Sequence, residues 1–316
     1  MTERALTGLP SVDKPWLKYY SEEAIKGQLP ECTIYEYMYE KNKEYPNDIA
    51  LEYMGKKVTF REMFARIDDC VKSLTVLGIK ADDIVTIALP SIPEALYLVY
   101  ALNKMGAVAN MIHPLAGKNE IVHYLNEVNG NAAILFEGTY HIVQKSLHKT
   151  ALKKAVIVSA GDSLPFGLKQ LYMLKNKLPR FSPNGMLMNW KQFMELGHHT
   201  NVVPVKKDSS KMAIISHTGG TTGEPKGVML SDRNINALIW QLNVNFKNER
   251  QKKNLVVLPP FVNYSLVHGM LLPLALGVQV TLIPRYEADR FDEYVRKYKP
   301  NHISSIPLYL EALLTN

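Results

Sequence analysis

The sequence predicts an α/β fold: two mixed, mostly parallel sheets, each flanked by helices in a layered α/β/α/β/α arrangement. Three observations predict it. Apolar runs of strand length, Ile84–Leu89, Ala107–Ile112 and Ala132–Phe136, alternate with stretches of helical periodicity, the mark of parallel strands covered on both faces. A second set of runs, Lys211–Ser216, Leu255–Leu258 and Val278–Ile283, follows a less regular segment. At 316 residues the chain also exceeds what one core usually organises. A division is therefore expected into 1–206, an N-terminal arm with a first α/β subdomain, and 207–316, a second α/β subdomain built around a glycine-rich loop.

Up to about Cys32 the periodicity is weak, as for an arm lying on the body. Thr59 and Glu62 then form a capping box opening a helix whose apolar stripe runs through Met63, Phe64, Ile67, Cys70, Val71, Leu74 and Leu77. Gly78 stops it. Ser91 with Glu94 repeats the box, with Pro93 in the first turn, for a helix ending near Gly106. A helix over Ile121–Val128 leads to the strand Ala132–Phe136, and about Gly161 to Pro204 reads as helices and loops. The second unit continues from Lys211–Ser216 through the glycine-threonine loop to a short strand Gly227–Leu230 and a helix capped by Ser231. Strand Leu255–Leu258, a helix near Leu266–Leu276, strand Val278–Ile283 and a helix over Phe291–Tyr298 follow. A final strand enters a helix through Pro307, over Ile303 to Leu314.

Composition excludes several classes. Hydrophobic residues at 47% and charged residues at 21% are globular proportions, not those of a disordered chain. The net charge of +7 favours anionic ligands, but the basic residues are scattered in pairs such as Lys56–Lys57 and Lys252–Lys253. No basic stripe interleaves with aromatics, so no nucleic-acid partner is expected. The two cysteines, Cys32 and Cys70, sit in no CxxC or Cys/His cluster, which argues against a disulfide scaffold or structural zinc and for a reducing, cytoplasmic setting. The start carries no apolar signal segment. From Leu255 to Pro284 no charged residue occurs, yet Pro259, Pro260, Pro273, Gly269 and Gly277 punctuate the run, which reads as buried strands and a helix rather than a membrane span.

The most informative segment is Thr218-Gly-Gly-Thr-Thr-Gly-Glu-Pro-Lys-Gly227. Gly219, Gly220, Gly223 and Gly227 let the backbone approach a ligand closely and turn several N–H groups into one anion-binding concavity. Thr218, Thr221 and Thr222 add hydroxyl donors, and Lys226 adds a compact cation. Pro225, after Glu224, stiffens the approach to that lysine. These are the parts of a polyphosphate grip. It is not a Walker A loop, in which Gly-Lys-Ser/Thr runs into a helix, since Lys226 precedes the strand-like Gly227-Val-Met-Leu. The bland alternative is a flexible surface turn, a poor use of a lysine after proline framed by two apolar strands.

Ile215-Ser-His-Thr-Gly-Gly-Thr-Thr-Gly-Glu-Pro-Lys-Gly-Val-Met-Leu-Ser-Asp-Arg-Asn-Ile235 resembles the phosphate-binding segment of the acyl-adenylate-forming superfamily: acyl-CoA synthetases, luciferases and the adenylation domains of peptide synthetases. Thr218, Gly220, Thr221, Thr222, Gly223, Pro225, Lys226 and Gly227 match its pattern, and Asn234 matches the following helix start. Gly219 stands where Ser or Thr is common, removing one hydroxyl. Val58-Thr-Phe-Arg-Glu-Met and the stretch from Ile84 to Pro114 resemble two earlier family elements, so the likeness runs from about residue 33 onward. Leu258-Pro-Pro-Phe-Val-Asn-Tyr-Ser-Leu266 occupies the place of the family segment bordering the acyl pocket, with Val262 where His is usual. The resemblance implies that Tyr264, Ser265, His268 and Gly269 face the carboxylic-acid substrate or its adenylate. The competing reading makes Tyr264 and His268 satisfied polar groups at the core edge.

The resemblance implies an acid–thiol ligase. A carboxylate attacks the α-phosphorus of ATP and expels pyrophosphate; a thiol, usually that of CoA, then takes the acyl group. The loop and a magnesium ion (Mg²⁺) would hold the departing phosphates. The family's adenine, ribose and C-terminal lysine segments do not appear, so the expectation is a truncated portion, incomplete at the C-terminus, making no acyl-adenylate alone. Its catalytic groups would lie beyond Asn316, and no metal ligand is assigned within the chain. An amino-acid adenylation domain is disfavoured because Phe261-Val-Asn-Tyr lacks the acid that would hold an amino group. A non-catalytic nucleotide-binding or scaffold relative stays open.

Overall fold

The computed structural model describes residues 7–175, 185–202, 205, 207–218, 226–246 and 249–315. Its strands, in chain order, are β1 (Ile49–Tyr53), β2 (Lys56–Thr59), β3 (Ile84–Ala88), β4 (Val108–Met111), β5 (Ala132–Phe136) and β6 (Lys154–Val158). They continue with β7 (Leu187–Asn189), β8 (Met212–Thr218), β9 (Lys226–Ser231), β10 (Lys253–Val256), β11 (Gln279–Leu282) and β12 (His302–Ser304). A seven-stranded sheet runs β7-β6-β5-β3-β4-β8-β9 and a five-stranded sheet runs β12-β10-β11-β1-β2. All pairings are parallel except the two hairpin edges, β8–β9 and β1–β2. This is the expected α/β architecture of two mixed, mostly parallel sheets.

The two sheets do not part at residue 206. β8 and β9 extend the sheet begun by β3–β7, and β1 and β2 complete the sheet otherwise made by β10–β12. Each unit thus borrows a hairpin from the other's stretch of chain, and local periodicity carries no signal for such long-range pairing.

Strand composition explains the layering. In β5, Ile134 packs into the core between the sheets while Ala133 and Leu135 pack into the core on the outer face. In β10, Val256 faces the shared core and Leu255 the outer one. Successive apolar residues on opposite faces require helices on both. The helix Pro93–Lys104 is buried along its length up to Asn103, as a helix lying between two sheets must be.

Helix Phe60–Val76 opens with the expected box: Thr59 accepts from the Glu62 N–H, and the Glu62 carboxylate accepts from Thr59 N–H. Gly78, at φ +93°, follows its end. Helix Asp232–Phe246 opens on Ser231, which exchanges the equivalent pair of bonds with Asn234. The second box differs from expectation. Ile92, not Ser91, precedes Pro93, with no side-chain cap. Ser91 Oγ instead donates to the Leu258 carbonyl, and Glu94 is buried. Pro93 lacks an N–H in the first turn, which lowers the demand for a cap and frees both side chains for tertiary bonds.

The helix expected near Leu266–Leu276 is π-helical over Ser265–Leu271 and α-helical over Leu272–Ala275. Pro273 cannot donate to the Gly269 carbonyl, which instead accepts from Asn254 Nδ2 at 2.8 Å. The N-terminal arm forms short helices, Pro10–Asp13, Pro15–Tyr19 and Glu22–Lys26, none with a buried residue.

Candidate functional site

The loop segment is bracketed by a hairpin. Thr218 ends β8 and Lys226 begins β9, and the two stand opposite each other in the ladder with His217 opposite Gly227. Thr218 Oγ1 lies 3.5 Å from the Lys226 carbonyl. The intervening Gly219, Gly220, Thr221, Thr222, Gly223, Glu224 and Pro225 lie outside the described residues. Both Thr218 and Lys226 are exposed, so the stems present their polar groups to solvent.

Several chemistry-bearing residues follow the carboxyl ends of parallel strands. Ser91 follows β3, His113 follows β4, Thr218 ends β8, and Phe261 with Tyr264 follows β10. The crevice outside these ends is where open α/β sheets usually take ligands. The two sheets meet there. The rings of His113 and Phe261 lie 4.3 Å apart, and Ser91 bonds the Leu258 carbonyl. Sequence reading passed over His113, whose imidazole also accepts from the Leu115 N–H at 2.9 Å. Its place just after an apolar strand was the available signal. Burial pushes its pKa below the ordinary histidine value, with Glu120 pulling the other way.

The expected acyl-pocket residues fall into two groups. Tyr264, half exposed, stacks on His268 with ring centres 4.9 Å apart. His268 lines a cavity of about 270 Å³ whose walls include Leu242, Leu272, Val278, Asn254 and His302. Burial, then His302, lowers the His268 pKa, which favours a neutral ring; its Nδ1 is buried with no hydrogen-bond partner among the described residues. Ser265 and Gly269 are packed differently. Ser265 Oγ donates to the Leu258 carbonyl at 2.6 Å. A Cβ on Gly269 would stand 3.3 Å from Ser304 Cβ, so glycine there lets the helix close on β12.

Among the described residues, no group of three or more His, Cys, Asp or Glu is placed to hold a metal ion. Nor is any helix among them long and apolar enough to cross a membrane.

The family model described as "AMP-binding enzyme" matches residues 38–316. A long-chain-fatty-acid–CoA ligase of Bacillus subtilis is 26% identical over 312 residues, 95% of this chain and 55% of the relative. One from Escherichia coli O157:H7 is 27% identical over 284 residues, covering 86% and 50%. Among solved structures, an anthranilate CoA ligase in complex with anthranoyl-AMP superposes with a TM-score of 0.78 at 16% identity, covering 93% of this chain and 53% of its own. A long-chain-fatty-acid-CoA ligase from Archaeoglobus fulgidus gives 0.75 at 19%, covering 91% and 54%; these two likenesses speak to fold. The chain spans about half the length of the curated relatives it matches. With the model covering most of its length and the sheets, hairpin and crevice arranged as described, the chain belongs to the AMP-binding enzyme family.

Proposed function

We propose that this chain is the phosphate-gripping part of an ATP-dependent acyl-CoA ligase acting on a carboxylic acid, with a fatty acid as the favoured class. The observation that carries the reading is the hairpin, which sets Thr218 opposite Lys226 at the carboxyl edge of the sheet, at the two ends of a glycine-threonine loop. In this reading the residues from Thr218 to Gly227 hold the β- and γ-phosphates of ATP through backbone N–H groups, hydroxyls and the Lys226 ammonium. The carboxylate oxygen then forms its bond to the α-phosphorus as the bond to pyrophosphate breaks. A thiol, that of CoA, later displaces AMP from the acyl carbon.

Magnesium in such sites usually rests on one or two carboxylates plus the substrate's phosphates. In this reading the ion is carried chiefly by the phosphates of the nucleotide. The hydrocarbon part of the acid suits the cavity beside His268, where Leu242, Leu272 and Val278 supply apolar walls. Tyr264 covers one face of the neutral His268 ring, with Ser265 and Gly269 fixing the helix that carries both. The long-chain-fatty-acid–CoA ligases among the relatives support this choice of acid.

Inorganic pyrophosphate titrated into the chain in a calorimeter tests the grip. Lys226→Ala should weaken binding about tenfold to a hundredfold, the range of a hydrogen bond to a charged group. Unchanged affinity would favour the scaffold reading. The same chain should give ATP–pyrophosphate exchange no higher than a protein-free blank with any carboxylic acid, because the adenine, ribose and C-terminal lysine segments are not in it. Robust exchange would sink that part of the proposal.

A further inference from the structure

A row of buried polar side chains spans three adjacent strands of the seven-stranded sheet, β3, β4 and β8, and ends at His217, the residue before Thr218. Thr86 on β3 stands beside Asn110 on β4 in register, and Asn110 stands beside Ile215 on β8. Asn110 Nδ2 donates to Thr86 Oγ1 at 3.0 Å, which turns Asn110 Oδ1 toward His217 Nε2 at 2.8 Å. The acceptor at that end makes Nε2–H the donor. Thr86 is 1% and Asn110 0% exposed, and the His217 side chain is 7% exposed. Burying these three polar groups among the mainly aliphatic residues of the central strands gains nothing unless their bonds fix a geometry.

What they fix is the stem of the loop. His217 immediately precedes Thr218 and pairs across the ladder with Gly227, the residue after Lys226. Its ring lies 4.3 Å from the Tyr124 ring. On the other side, a Cβ on Gly227 would come within 3.4 Å of His217 Cε1 and 3.1 Å of Ile215 Cγ2. The ring is therefore held between Tyr124 and the β9 backbone while Asn110 fixes its rotation. His217 Nδ1 faces Glu127 Oε2 at 3.9 Å.

We propose that His217 is a positioning residue for the phosphate loop: the Thr86–Asn110–His217 row locks β8 and β9 against the sheet and so sets where Lys226 stands. This rests on the reading of residues Thr218 to Gly227 as the phosphate grip. His217 touches no phosphate in this account; it acts through Lys226.

The test is pyrophosphate titration of the chain, its variants checked for folding by urea unfolding. His217→Phe keeps the ring between Tyr124 and Gly227 but removes the donor, and should weaken binding about tenfold. His217→Gln, whose amide nitrogen reaches toward the Nε2 position, should stay within about threefold of wild type. A double variant with Lys226→Ala should bind no more weakly than Lys226→Ala alone, because both changes remove the same contact. Wild-type affinity in His217→Phe, a Gln variant as weak as Phe, or fully additive losses would each overturn the proposal. If His217→Phe does not fold, Thr86→Val removes the far anchor with little change of shape. It should cost about threefold, and an unchanged affinity there overturns the proposal too. A wild-type chain that binds no pyrophosphate, or a Lys226→Ala variant that binds normally, overturns the phosphate reading itself. Loss in Lys226→Ala with none in His217→Phe overturns only the positioning role.

Discussion

Asp232→Ala should destabilise the chain by about 3–5 kcal/mol, the cost of stranding a buried partner charge. Asp232 is fully buried and the Lys207 side chain is 3% exposed, with Nζ 3.3 Å from Oδ2. The other carboxylate oxygen accepts the Ile34 N–H at 3.0 Å and Asn103 Nδ2 at 2.5 Å. Lys207 also donates to the Met212 carbonyl at 3.0 Å. One carboxylate therefore joins the entry to the helix Ile34–Asn42, the end of the helix Pro93–Lys104, the lead into β8 and the first turn of the helix after β9. Removing it leaves an ammonium out of reach of water and two donors without acceptors. Asp232→Asn keeps the acceptor for Ile34 and Asn103 and should cost less. The double variant Lys207→Met, Asp232→Leu should cost clearly less than the sum of its single changes, since neither charge is then left alone. Urea unfolding midpoints and slopes measure all of these. Additive losses in the double variant would mean that the pair is not coupled. Since Lys207 and Asp232 flank the β8–β9 hairpin, the same pair steadies the base of the loop whose mouth holds Lys226.

The fold class was legible because the interior strands β3, β4, β5 and β11 bury both faces, so runs such as Ala132–Phe136 have no polar side to confuse with a loop. Helix starts were legible where side chain and backbone agree locally, as at Thr59 with Glu62 and Ser231 with Asn234. Ser91 and Glu94 have the same spacing and mislead, because a local pattern cannot reveal that Glu94 points into the core toward Ser163, 69 residues away. Strand exchange between the sheets was illegible for the same reason. The glycine-threonine loop announces itself by composition, whereas its support does not. Asn110 and His217 lie 107 residues apart, and each alone reads as an interruption in an apolar run. Only their adjacency across β4 and β8 turns two apparent defects into one bonded unit.

Glu94 makes stability fall as pH rises. It is 1% exposed in the helix between the sheets, and Ser163 Oγ donates to its Oε1 at 2.5 Å while Oε2 has no hydrogen-bond partner among the described residues. Burial disfavours the charged carboxylate and, with a smaller push from Asp162, raises its pKa from 4.5 to about 7 against the opposing pull of Ser163 and Lys56. The folded value lies above the unfolded one, so the native state holds a proton that the unfolded chain releases first. Its contribution is complete below about pH 4.5, declines as pH rises toward 7 and is lost above that value. A shift of this size corresponds to about 3 kcal/mol. Glu94→Gln keeps an oxygen to accept from Ser163 and cannot ionise. The variant should match wild type near pH 4 and exceed it at pH 8 by up to that amount, less whatever is lost when the charged hydrogen bond becomes neutral. Paired urea titrations at the two pH values measure the difference directly, and because only Glu94 differs, the remaining titrating groups cancel. If the gap between variant and wild type is the same at both pH values, Glu94 is not carrying a proton into the fold. The expected slope would instead mean that the helix Pro93–Lys104 accepts a buried carboxyl at low cost only while that carboxyl is neutral.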